Sequence, residues 1–317
     1  MRASILPVTL VLACAADGGD ATATDIGSSS AELGTSPTTT MGGTVATTAS
    51  STDPSTTDAS TSVNPTTGSS SDEGSGDDAS TTGSTALGCD DTDLLVCEDF
   101  EAARIGAYPE GWDKRATGTW LGNTMGVADD DAYRGTHSLR IAGGENGAQW
   151  LSYVGGLGEL ATAHWGRMFV KVQTPAPWPG EGVLHGDLFE ARGPFGEGNT
   201  NSVRWGIVEN TQQRFQWIYN VQRSSNEFGT GTDYVYEWDG EWFCMEWHHD
   251  QTTQEATLWL DGVEVEAITQ DASMNPEIPI YGDISVGWAN YQIANPEFVV
   301  HIDEVALDDA RIGCDGL

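Results

Sequence analysis

The stretch LFEARG, Leu188 to Gly193, sets a carboxylate and a guanidinium two positions apart. In an extended chain successive side chains point to opposite faces, so Glu190 and Arg192 share one face. Such a pair is either an ordinary surface ion pair or the lining of a groove that grips a polar polymer. Arginine forks and carboxylates make directional hydrogen bonds to hydroxyls and carboxylates. Glu190 could act as a base if it were held in orientation, whereas Arg192 could neutralise a carboxylate but stays protonated. A second stretch, MEWHHD, places Glu246 and His248 on one face by the same rule. A histidine is the side chain whose proton moves near neutral pH. In VGWANYQ, Trp288 and Tyr291 are candidates for stacking on sugar rings, with the Tyr291 hydroxyl a candidate proton donor. Arg167, Arg204, Tyr219 and Asn220 complete the candidate set. His185 opens the run that carries Glu190, but odd spacing puts those two on opposite faces unless a bulge intervenes.

These residues need strands to position them, and the hydrophobic period is two. RMFVKVQ sets Met168, Val170 and Val172 against Arg167, Phe169 and Lys171. RFQWIYNVQ sets Phe215, Trp217, Tyr219 and Val221 against Gln216, Ile218, Asn220 and Gln222. ATLWLDGVEVEAI reads as two strands around an Asp261-Gly262 turn. Many short strands with Gly, Pro and Asn between them, and no amphipathic helix, predict an all-β sandwich or jelly roll of two antiparallel sheets.

The 12 Trp, 8 Tyr and 8 Phe all follow Asp99. Residues 15–88 are a Ser/Thr/Gly/Asp-rich tether without the apolar side chains that offset ordering entropy. The folded domain is therefore expected over 89–317. There, 38 acidic residues face 12 basic ones, a net of about −26 within a chain total of −35. That balance excludes nucleic acid and anionic membrane surfaces as partners, since phosphate binding needs clustered Lys and Arg. It suits an exported, monomeric protein and the binding of cations. The start, MRASILPVTLVLAC, has Arg2 and an apolar run too short to cross a bilayer, which reads as a signal peptide. VLAC is similar to the bacterial lipoprotein signal, which implies a lipid on Cys14 and an outer-membrane or cell-surface location. Membrane contact is then expected through that anchor only, with plain secretion as the alternative. Four further cysteines, Cys89, Cys97, Cys244 and Cys314, predict two disulfides. Three pairings are open. The short separation of Cys89 and Cys97 favours a small loop between them, with Cys244 then joined to Cys314.

CEDFE, YRGTHSLRI, FCMEW with LWLDGVEV, and HIDEVALDDARIGC together resemble the framework of a concanavalin-A-like jelly roll. The resemblance is to polysaccharide-lyase-like secreted domains of the glucuronan and alginate lyase type, and to allied cellulose-induced proteins. It implies a structural Ca²⁺ held by Glu101 and Asp303, with backbone carbonyls near Thr136 or Ser138. It also aligns Glu190, Ala191 and Arg192 with a Gln-Ile-His strand, though both functional types differ. Tyr291 aligns with the proton-shuttling tyrosine of a Lys-Ala-Gly-x-Tyr-x-Gln strand, here followed at once by Gln292. The implied function is a surface-anchored carbohydrate-active protein acting on or binding a polysaccharide. By β-elimination, Arg192 or Arg167 would neutralise a uronate while Tyr291 or His248 served as base and acid. Glu190 is a further catalytic candidate, with Arg204, Tyr219, Asn220, Glu246 and Trp288 on the substrate. The alternative is a non-catalytic carbohydrate-binding or adhesion lipoprotein. Asp187-x-x-Glu190 is similar to part of a laminarinase-like motif, but His185 stands in the nucleophile's place, which argues against a retaining glycosidase. No serine elbow, P-loop or metalloprotease motif is present. Elimination requires Arg167, Glu190, Arg192, His248 and Tyr291 to converge in one groove.

Overall fold

The computed structural model describes residues 88–89, 93–117, 124–173, 175–223 and 226–314. The signal peptide, Cys14 and the tether up to residue 87 lie outside the described residues. In chain order the strands are β1 (Val96–Glu98), β2 (Trp112–Thr117), β3 (Thr124–Ala128), β4 (Ser138–Gly143), β5 (Gly147–Tyr153), β6 (Ala163–Val172), β7 (Leu184–Pro194) and β8 (Thr200–Glu209). They continue with β9 (Phe215–Gln222), β10 (Glu227–Gly231), β11 (Trp242–Asp250), β12 (Glu255–Leu260), β13 (Val263–Glu264), β14 (Asp283–Asn290) and β15 (Phe298–Asp308). The helical elements among the described residues are short 3-10 turns.

All pairings are antiparallel and make two sheets, as the period of two predicts. One runs β10-β9-β8-β7-β14-β5-β2, and the other β13-β12-β11-β6-β15-β4-β3 with β1 added beside β15. Inward side chains from both sheets form one core. Met168 and Val170 of β6, Trp205 of β8, Trp217 and Tyr219 of β9, Trp247 of β11 and Trp288 of β14 are all buried in it. The Asp261-Gly262 turn closes the β12–β13 hairpin, with Leu260 paired to Val263 and positive φ at both turn residues.

The core also holds a polar group. His164 Nδ1 faces the Leu160 carbonyl at 3.0 Å, and Trp247 Nε1 donates to His164 Nε2 at 3.1 Å. His249 Nδ1 lies 3.1 Å from the Tyr281 hydroxyl. Burial holds His164 neutral, its pKa down at about 3, and pushes His249 well below the ordinary imidazole range. Two disulfides, Cys89–Cys97 and Cys244–Cys314, are formed. The second fastens the chain end across the outer face of β11. There Arg311 grips Glu246 through Nε at 3.1 Å and Nη2 at 2.9 Å.

Candidate functional site

A cleft of about 380 Å³ opens on the outer face of the β7 sheet. Five neighbouring strands build it. Arg115 comes from β2, Trp150 from β5, Ala289 from β14, Glu190 and Arg192 from β7, and Ser202 and Arg204 from β8, with Tyr291 just past β14. Glu190 is the hub. Its Oε2 accepts Arg115 Nη2 at 2.5 Å, and its Oε1 accepts Ser202 Oγ at 2.6 Å and Arg204 Nε at 3.1 Å. Burial pushes its carboxyl up, but Arg115 and Arg204, with Ser202, outweigh burial and hold it below the ordinary range. Glu190 is therefore an anion that organises arginines, with both of its oxygens already hydrogen-bonded.

The arginines are fixed from behind. Arg192 Nη2 meets Asp283 Oδ2 at 2.5 Å, and Arg115 Nη2 donates to Ser285 Oγ at 3.1 Å. Arg204 Nε also lies 3.6 Å from Asp187 Oδ2, and its guanidinium sits 5.6 Å from the Tyr291 ring centre. None of the hydrogen bonds found among the described residues uses Arg204 Nη1 or Nη2. The result is a set of donors held in place by acids and still able to serve a ligand.

Asp187 joins this face because of a bulge. In the β7–β8 ladder Asp187 pairs with Gly206 and Phe189 with Trp205, so Leu188 is the extra residue. Leu188 and Phe189 both go to the core, and Asp187 turns out beside Glu190. Gly206 makes room, since a Cβ there would lie 2.1 Å from Asp187 Oδ1. The bulge also brings His185 to this side, 3.7 Å from Asp187 Oδ1, with its ring 4.7 Å from that of Tyr291. Tyr291 donates to Asp187 Oδ2 at 2.7 Å. Burial first, then Asp187, raises the Tyr291 hydroxyl above the ordinary phenol range. Burial likewise raises Asp187, against the pull of Arg204.

The expected site residues divide. Glu190, Arg192, Arg204 and Tyr291 share the cleft. Asn220 pairs with Arg204 in register, which puts it on the same sheet face, where it donates to Glu227. Tyr219 and Trp288 do not face a ligand. Strand alternation drives both into the core, with Trp288 Nε1 bonded to Asn290. Arg167, Glu246 and His248 lie on the outer face of the opposite sheet, because Met168, Met245 and Trp247 between them take the core side. Arg167 and Glu246 belong to the C-terminal clasp there: Arg167 Nη1 reaches the Gly313 carbonyl at 3.4 Å, and Gly313 N donates to Glu246 at 2.7 Å. His248 stacks on Trp165 at 4.5 Å. The five residues that elimination requires thus fall on two different sheets. Arg115, Asp283 and the serines of the cleft were not foreseen, because only strand order brings them to Glu190.

Glu101 and Asp303 close on one loop, residues 133–137. Glu101 accepts the Thr136 and His137 N–H groups, each at 2.6 Å, and Asp303 accepts those of Tyr133 at 2.9 Å and Arg134 at 3.1 Å. Asp99, Glu101 and Glu304 line a crevice of about 150 Å³ beside this loop, together with Arg134. Its oxygen donors are of the type a hard cation takes.

No family model matches this sequence, and no curated protein does. Among solved structures, the cellulose-induced protein Cip1 aligns at 19% identity and a TM-score of 0.49, over 69% of this chain and 99% of its own. The CBM22-1 xylan-binding domain of Paenibacillus barcinonensis Xyn10C aligns at 12% identity and 0.35, over 68% and 94%. The carbohydrate esterase vb_24B_21 of the Shiga toxin-encoding bacteriophage phi24B aligns at 16% and 0.42, over 62% and 89%. Likenesses of this extent carry no conclusion about activity; the sandwich stands on its own strand pairing.

Proposed function

We propose that this protein is a carbohydrate-binding module, and that the cleft on the β7 sheet holds a polysaccharide. The carrying observation is the arginine–carboxylate lattice around Glu190, flanked by the half-exposed Tyr291 ring. Buried and half-buried acids hold its guanidinium groups in fixed directions, so the ligand meets preformed donors and ordering costs are small. Each cleft arginine has an acid beside it, so the local charge is close to balanced. In a domain of about −26 net charge this favours a neutral or weakly charged polymer.

Elimination is the less favoured reading. Arg192, Glu190 and Tyr291 do share the cleft. However, Glu190 already accepts three hydrogen bonds, Tyr291 is tied to Asp187, and Arg167 and His248 are on the other sheet. Affinity electrophoresis through gels loaded with a panel of neutral and uronate-containing polysaccharides tests the proposal, with ultraviolet absorbance followed in parallel. Retardation with a flat absorbance trace is expected. A rise from unsaturated sugar would overturn the binding-only reading in favour of a lyase.

The proposed setting is the cell surface, with Cys14 lipidated and the tether displaying the domain. The two disulfides are compatible with export, and no helix of the described residues is long and apolar enough to cross a membrane. A structural Ca²⁺ is part of the proposal. Of the two expected ligands, Glu101 would hold it from the crevice lining with Asp99 and Glu304 beside it, whereas Asp303 lies outside that lining with both oxygens accepting N–H groups. Melting the chelated protein with and without added calcium tests this: a higher Tm with calcium is expected, and an unchanged Tm would remove the ion from the account.

A further inference from the structure

A second pocket, of about 230 Å³, lies away from the arginine cleft, where residues 232–241 lead from β10 into β11. Its wall is aromatic: Phe215, Trp217, Tyr236, Trp238, Trp242 and Phe243. Phe215 and Trp217 are buried at its base, and the other four rings are half-buried and reach its mouth. The rings stand in two orientations. Trp238 and Tyr236 stack on Phe215 at 18° and 29°, whereas Trp217 meets Tyr236 at 84° and Phe243 at 73°. Together they line an aromatic box. The charged residues lining it are Glu237, Asp239 and Asp261, all acidic. Behind Trp238 stands Glu209, fully buried, whose Oε2 accepts Trp238 Nε1 at 3.2 Å while Oε1 has no hydrogen-bond partner.

We propose that this box is a site for a small organic cation with a quaternary ammonium head. Aromatic faces carry negative potential and attract a cation that cannot hydrogen-bond, most strongly where water is excluded. Rings standing in two orientations suit a rounded head, whereas a sugar ring needs one broad, open aromatic face. The acidic lining adds attraction for positive charge. The domain's own net charge of about −26 has the same sign.

The test is isothermal titration of the purified full chain with choline chloride, beside its neutral isostere in which carbon replaces the quaternary nitrogen. Choline is expected to bind about tenfold more tightly than the isostere. Trp242→Leu should remove the choline heat, and the exposed-site variant Asp239→Asn should weaken binding about threefold, with melting unchanged. Retention of choline binding by both variants would overturn the proposal. So would equal affinities for choline and the isostere, or binding of neutral methyl glycosides without choline. Flotation with phosphatidylcholine vesicles separates a lipid headgroup from a free solute as the source, and either source supports the site.

Discussion

Glu190 shows how one residue organises the cleft. It is an acid nearly removed from water, and three donors from two other strands make that burial tolerable. Removing it takes from Arg115 and Arg204 their shortest acidic contact and leaves each with one acid at 3.6 Å, Asp283 and Asp187. Glu190→Ala is therefore expected to cost about 2–3 kcal/mol, somewhat less than a fully buried pair because both arginines keep some exposure and a second acid. Glu190→Gln, which keeps an acceptor, should cost less. Chemical denaturation of both variants measures the difference, and equal costs would contradict the lattice. Part of this was legible in the sequence: the two-residue spacing of Glu190 and Arg192 places them together. Tyr219 is expected on the substrate, although its alternation with Phe215, Trp217 and Val221 marks the face that the structure buries. Asp187 was hidden, because no residue type at Leu188 announces a bulge.

At the scale of elements, strand order does what sequence distance cannot show. Arg115 and Glu190 are 75 residues apart and meet because β2, β5, β14 and β7 are neighbours. The same alternation that identifies strands leaves open which sheet each joins, so His248 and Arg192 read alike but end on opposite sheets. Packing also determines a pH response. His164 donates to the Leu160 carbonyl of the preceding 3-10 turn and accepts from Trp247, a pattern only the neutral ring can make. Its folded pKa of about 3 lies below the unfolded value, so the native state binds fewer protons and loses stability as pH falls below about 6.5. The expected loss from His164 alone by about pH 5 is about 2 kcal/mol. Imidazole nitrogen shifts should show this ring still neutral at that pH; a protonated ring in the folded protein would contradict the assignment.

Across the whole described domain, the chain end acts as a fastening. Cys244–Cys314 closes a separation of 70 residues, and Arg311 lies over Trp259 at 4.6 Å and Trp165 at 5.5 Å while it grips Glu246. By loop-closure entropy such a link is worth about 4 kcal/mol. Cys314→Ser should therefore lower Tm sharply, and Arg311→Ala should lower it less. Neither should weaken ligand binding, because this clasp is on the sheet opposite the cleft. The two sheets thus have separate roles, one carrying the lattice and the other the fastening and the aromatic stack around His248. That separation is the central claim, and affinity electrophoresis of Arg192→Ala against His248→Ala on a retained polysaccharide tests it most directly. Arg192→Ala should lose about tenfold in affinity while His248→Ala matches wild type. Loss in His248→Ala with Arg192→Ala unaffected would place the ligand on the opposite sheet and contradict the account.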